Sequence, residues 1–146
     1  MSPFHQHGTS RSGLLTIVAL AAALLLVLNE TQATMEQAQV EILVRNMRTG
    51  LQVAIGEKLI RGEDNRLGEL LAANPIGFLS RPPEGYIGES PRPDGSGSWR
   101  FDPQSRLLEY RPRHPGAFGG RKELRWRLAA AGTAAGRPVG LRLESL

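Results

Sequence analysis

One stretch of this chain constrains its fold more than any other: residues 14–28. It carries no charge, its one polar residue is Thr16, and ten of its fifteen residues are Leu, Ile or Val. Each of those ten favours insertion by ~0.3–0.6 kcal/mol near a helix centre, so the run gains at most about 5 kcal/mol in lipid. As a helix it reaches about 22 Å, short of a hydrocarbon layer ~30 Å thick. Ser12, Gly13, Asn29 and Thr31 extend it, with local thinning of the bilayer making up the rest. The membrane-spanning residues are therefore read as Leu14, Leu15, Ile17, Val18, Leu20, Leu24 and Leu28 with their neighbours, in a segment over 13–29.

Charge orients the segment. Arg11, the chain start, His5 and His7 precede it, whereas Glu30 and Glu36 follow it and no basic residue comes before Arg45. The positive-inside rule places residues 1–12 in the cytoplasm as a tail or leader and the remainder outside. In a bacterium that is a single pass of the inner membrane with a periplasmic C-terminal domain. A cleaved secretory signal is the competing reading, with Thr31-Gln32-Ala33 as a small-x-small site. A buried helix of an ordinary globular protein is a third, although such a helix has no need of fifteen uncharged residues.

About 115 residues remain, enough for one domain with one core. Aromatic residues make up 5% of the chain, so that core is mostly aliphatic. With no cysteine in the sequence, it holds by packing alone, and thiol catalysis and thiolate-bound metals are excluded. The net charge of +4 is uneven: residues 92–146 hold eleven Lys/Arg against five Asp/Glu, and residues 1–91 hold seven against nine. The basic third is suited to an acidic partner, a nucleic acid or anionic lipid.

No proline interrupts residues 29–61. Val40, Leu43, Val44, Met47, Leu51, Ala54, Ile55 and Leu59 recur at steps of three and four, an apolar stripe of helical period. Its packing face is read as Val40, Val44, Met47, Leu51 and Ala54. Glu41–Arg45 and Glu57–Arg61 add i,i+4 pairs in the favoured order. One helix from about residue 13 to 61 is expected, lipid-facing in its first half and amphipathic in its second, with Gly62 as its C-cap. A break near Asn29, giving two helices, is the alternative. A short helix over 66–73 follows, ending before Asn74-Pro75 because a residue preceding proline avoids helical geometry. Residues 80–97 hold four prolines and four glycines, which predicts a loop without a regular ladder.

Beyond the loop the period becomes two. Trp99 and Phe101, Leu108 and Tyr110, then Leu124, Trp126 and Leu128, then Val139, Leu141 and Leu143 alternate with polar residues or glycine. Asp102-Pro103 suits a type I turn, and residues 113–120 and 129–137 read as loops. The expectation over 98–146 is four antiparallel strands with one apolar face, covered by the helix stripe. The fold class is α+β.

Chemical signatures are sparse. Gly-Ser-Gly-Ser at 95–98 lacks the strand–turn–helix setting of a nucleophile elbow or phosphate loop. His5 and His7 lie in the tail and His114 stands apart between prolines, which disfavours a metal site. Glu84 and Glu89 read as solvated loop carboxylates. Asn29-Glu30-Thr31 matches a glycosylation sequon at the membrane edge, a cheap match. Arg100, Arg111, Arg125, Arg127 and Arg142 fall on the polar sheet face without aromatic neighbours, interleaved with Glu109, Glu123 and Glu144. Cross-strand ion pairs are the default for such a face, and nucleic-acid binding is disfavoured. No enzyme, cofactor or small-molecule substrate is indicated.

A basic leader, an apolar helix continuing as an amphipathic one, a loop and a small sheet together resemble type IV pilins and type II secretion pseudopilins. A more particular likeness lies in Asn74-Pro75, Pro82-Pro83, Tyr86, Gly88-Glu89, Gly97-Ser98-Trp99, Phe101-Asp102 and Leu108-Glu109-Tyr110-Arg111. It is similar to small pilin-related proteins of the mannose-sensitive haemagglutinin (MSHA) pilus biogenesis protein F family. The resemblance implies a pilin-like fold and an accessory structural role in assembling a pilus or secretion machine. Its partners would be the membrane and other proteins of that machine. Arg11-Ser12-Gly13 then offers a leader cleavage site at Gly13, with Leu14 starting the mature chain. The acidic residue that the resemblance puts at the fifth mature position is Val18 here. In filaments that carboxylate neutralises a neighbour's amino terminus, so Val18 implies a tip or accessory place. The cysteines that close the C-terminal region of many pilins are also absent. The rival reading is a secreted periplasmic binding module whose basic sheet face meets an acidic ligand.

Overall fold

In the computed structural model of this chain, residues 11–90 and 95–146 are described. Most of the tail expected at 1–12, with His5 and His7, lies outside them, as do residues 91–94 of the loop.

A single helix, α1, runs from Arg11 to Ile60 without a break at Asn29. At 1.5 Å per residue its fifty residues extend about 75 Å. It ends where Gly62 takes a left-handed φ of 70°. Gly62 N–H then donates to Leu59 O at 3.0 Å and Glu63 N–H to Lys58 O at 2.8 Å, a Schellman cap. The short helix expected over 66–73 is instead a 3-10 segment over Asp64–Ala72, followed by a second over Pro75–Phe78. Asn74 separates them: its Oδ1 accepts from Ile76 N–H at 3.1 Å and its Nδ2 donates to the Tyr86 hydroxyl at 2.7 Å.

The sheet corrects the expectation of four antiparallel strands. It has five, in chain order: β1 (Tyr86–Glu89), β2 (Ser98–Asp102), β3 (Leu107–Arg111), β4 (Leu124–Ala134) and β5 (Arg137–Ser145). β1 pairs with β2 in parallel and the other three pairings are antiparallel. The loop read over 80–97 therefore contains a strand. Its prolines flank Tyr86–Glu89 rather than interrupting it, and Trp99 N–H donates to Gly85 O at 2.9 Å. The loop read over 129–137 also disappears. β4 and β5 continue as a long hairpin through Ala130↔Leu141 and Ala134↔Arg137. It closes on Ala135 and Gly136, both at positive φ (50° and 75°), the pair of left-handed residues that a type I′ turn requires. Within the loop read over 113–120, Pro115–Phe118 forms a third 3-10 turn.

The core lies between α1 and one face of the sheet. Val40, Val44, Met47, Leu51 and Ile55 meet Trp99, Phe101, Leu108, Tyr110, Leu124, Trp126, Leu128, Leu141 and Leu143, with Leu67 and Ile76 closing the side. Trp99 stacks on Trp126 with ring centroids 5.4 Å apart and sits 4.5 Å from Tyr110. Close approach of the Pro75–Phe78 turn to α1 depends on Gly50, where a Cβ would stand 2.0 Å from Phe78 O. α1 also covers one margin of the sheet. Arg48 Nε donates to Leu143 O at 3.2 Å and Gln52 Nε2 to Leu141 O at 3.4 Å, along β5, which has no strand on its outer side.

Candidate functional site

The two halves of α1 present different surfaces. No residue of 11–35 is buried, and Ala33 alone is half-buried. Leu14, Leu15, Ile17, Val18, Leu20, Leu24 and Leu28 are between 49% and 70% exposed. The helix is long and apolar enough to cross a membrane. Gly13 sits exposed in the first turn. From Glu36 onward one face is buried. Val40, Val44, Met47 and Leu51 lie in the core, Ala54 is half-buried beside them, and Leu59 of the expected stripe is exposed. On the opposite side Met35, Ile42, Val53 and Ile60 form a second, exposed apolar line. Steps of seven, eleven and seven residues bring them within about 20° of one another around the helix. Ile17 and Leu24 stand on the same line in the first half.

Where the halves meet, Glu36 is buried. One of its oxygens accepts from the Tyr110 hydroxyl at 2.7 Å and from Arg113 N–H at 2.6 Å. The other accepts from His114 N–H at 2.9 Å and lies 2.9 Å from His114 Nδ1. A carboxylate only accepts, so this contact fixes the tautomer with a proton on Nδ1. Burial alone would push the Glu36 carboxyl pKa up. The hydrogen bonds from Tyr110, Arg113 and His114 outweigh burial and hold it below the ordinary carboxylate value. Burial and the Glu36 charge together push the Tyr110 hydroxyl up. His114, which stood apart in the sequence, is thus the half-buried partner of a buried carboxylate. Glu36 itself read only as part of an acidic flank. The signal that could have found it is its spacing: it extends the stripe of Val40 and Val44 by one turn, and an acid on a buried face needs partners.

Beside this junction a groove of about 980 Å³ runs between α1 and the segment 79–84, over Trp99 and Tyr110. Met35, Ile42 and Leu43 line one wall and Pro82 and Pro83 the other. Glu84 is exposed on its rim, and Glu89 is exposed on β1. Among the described residues no three His, Asp or Glu side chains come together to hold a metal.

The polar sheet face is laced by ion pairs. Arg100 pairs with Glu109, whose other oxygen is 3.2 Å from Arg125 Nε. Glu123 holds Arg111 and Arg125 at 3.6 and 2.8 Å, and Glu144 holds Arg127 and Arg142 at 2.9 and 3.2 Å. Arg100, Arg111, Arg125, Arg127 and Arg142 therefore have carboxylate partners, whereas Arg137 at the start of β5 is in no ion pair among the described residues, and Trp99 and Trp126 lie on the other face in the core.

The chain matches no protein-family model, no curated protein and no solved structure.

Proposed function

We propose that the protein is an accessory, pilin-like structural component in the biogenesis of a type IV (MSHA-like) pilus or a type II secretion machine. α1 anchors it in the bacterial inner membrane and the domain stands in the periplasm. The observation that carries this reading is the continuity of α1. One uninterrupted helix offers an exposed apolar first half and then an apolar line through Met35, Ile42, Val53 and Ile60 on the side away from the sheet. The buried stripe is already occupied by the protein's own sheet, so partner helices would meet the opposite line. Ala19 and Ala23, four apart, permit close approach in lipid. The likeness in the stretch 74–111 gives the machine its name.

One observation favours the rival secreted module. The buried contacts of α1 begin at Glu36, so cleavage after Ala33 would remove nothing that holds the domain together. Membrane fractionation with N-terminal sequencing separates the readings. A membrane-bound chain starting at Leu14 supports leader processing, and one starting at Met1 an uncleaved anchor. A fraction free of membrane starting at Thr34 would sink both. The partner is tested by photo-crosslinking from Ile42 and Val53 in cells. Adducts with pilus or secretion-machine proteins are expected there, and their absence from both positions overturns the structural role.

A further inference from the structure

The end of the domain nearest the first half of α1 gathers several basic side chains. Arg81, Arg113, Arg121 and Lys122 are exposed there, and among the described residues no ion pair joins any of them to a carboxylate. Arg121 Nη1 donates to Leu146 O at 3.5 Å. These four differ from Arg100, Arg111, Arg125, Arg127 and Arg142 of the sheet, which are paired, and are set apart from the other exposed arginines that have no ion pair among the described residues, such as Arg61, Arg106 and Arg137, by their place beside the first half of α1. Glu30 and Glu84 are the exposed carboxylates at this end, and the basic residues outnumber them.

Their level along α1 is set by the junction. Glu36 holds the backbone of Arg113 and His114, the Pro115–Phe118 turn packs on α1, and Arg81 shares the groove wall with Gln32 and Met35. Residues 112–123 join the end of β3 to the start of β4, where Tyr110 pairs with Leu124. A hydrocarbon layer ~30 Å thick takes about twenty helical residues. Centred on the apolar run, it ends near Thr31. Glu36 then lies about 7 Å further along the axis, a distance comparable to the headgroup layer. The side chains of Arg81, Arg121 and Lys122 are long enough to reach phosphates at that depth, while the Arg113 guanidinium lies against Gly97 in the groove.

We propose that this basic end of the domain docks on the anionic phospholipid headgroups of the membrane that α1 crosses. The proposal rests on the anchored reading given above and adds to it a fixed seat for the domain. Each basic side chain held at an anionic surface favours the docked state about fivefold. The Glu36 contacts make the seat rigid, because they join the basic loop to the helix that enters the lipid.

The test uses the full chain reconstituted in vesicles. The sequence has no cysteine, so a single introduced thiol is a unique label site. Gly116→Cys is suitable, since a Cβ there meets nothing within 4 Å. Thr133→Cys, at the exposed tip of the β4–β5 hairpin, is the control. Each is labelled with a fluorophore, and quenching by headgroup-spin-labelled lipid is compared between phosphatidylcholine vesicles and vesicles also containing phosphatidylglycerol. The label at 116 is expected to be quenched several-fold more strongly with phosphatidylglycerol, and the label at 133 equally little in both. The difference should vanish at about 1 M salt, where the Debye length is ~3 Å. It should also vanish in the triple variant Arg113→Glu, Arg121→Glu, Lys122→Glu. Should that variant misfold, Arg121→Gln with Lys122→Gln leaves the Glu36 contacts intact and should bring the quenching most of the way back to its level in phosphatidylcholine vesicles. Equal quenching at 116 in both lipids, or no response to the double variant, overturns the docking alone. Loss of the chain from vesicles washed in alkaline carbonate overturns the anchor as well.

Discussion

The two halves of α1 use apolar residues in opposite ways. Between residues 14 and 28 they surround the helix on all sides and have no period, and every one of them is exposed in the isolated chain. Between 36 and 55 they return every three or four residues, and the returning face is covered by the sheet. An apolar residue in the first half has lipid or a partner as its only destination. In the second half its destination depends on its angle around the helix, with Val44 and Met47 facing the core and Ile42 and Val53 facing outward. Composition distinguishes the halves coarsely, and periodicity does so residue by residue.

This comparison is open to direct attack. The largest effect is expected from a matched pair of truncations. Leu51→Ala empties a fully buried site and should cost about 2–5 kcal/mol in denaturant unfolding of the domain. Leu24→Ala, the same change in the exposed half, should leave that transition within about 0.5 kcal/mol. Equal losses would mean that the first half packs on the domain after all.

Next comes the joint between the halves. Glu36→Gln removes charge-assisted hydrogen bonds from Tyr110, Arg113 and His114, at a cost of roughly 1–3 kcal/mol. The native carboxyl pKa is depressed, so Glu36 stabilises the fold fully above the unfolded value of about 4.3. That contribution is lost as pH falls through the lowered native value. Unfolding free energies measured from neutral to acid pH should converge for wild type and Glu36→Gln at the acid end. Parallel curves at all pH values would remove Glu36 from the account.

Two glycines on α1 give a smaller effect of opposite sign. Gly56→Ala meets open space and should stabilise by about 0.5–1 kcal/mol through helix propensity. Gly50→Ala gains the same propensity but drives a Cβ into Phe78 O, and should be destabilising overall by about 1–3 kcal/mol. Thermal melts of the two variants should shift in opposite directions. At the bottom of the scale, Arg127→Ala breaks an exposed pair with Glu144 and should be indistinguishable from wild type in the same melts.

Much of the architecture was legible because it is periodic. The helix and its Gly62 cap followed from spacing, as did the alternating cores of four strands. What was missed has no period to read. Tyr86–Glu89 is four residues between proline-bearing segments, too short for alternation to register. Ala129, Ala130 and Ala131 fit strand, helix or loop equally well, and the Ala135-Gly136 turn lacks the Asn or Asp that commonly marks such hairpins. The bond between Glu36 and His114 joins residues far apart in the chain, and only the folded sheet brings them together. The candidate site was correspondingly half visible: the apolar run was plain, while the junction below it and the basic seat beside it depend on tertiary placement.

The contacts from Arg48 and Gln52 to β5 have a consequence for life at a surface. Copies anchored as proposed would share an orientation and meet in two dimensions, where local density is high. Parallel alignment at high density is the condition under which an open strand margin recruits its twin and seeds a cross-β stack. α1, the helix long and apolar enough to cross a membrane, also occupies that margin on β5. On the far side β1 offers only four residues, with an irregular register against β2. Crowded copies are therefore left with helices and side chains as their means of contact, and the backbone is withheld.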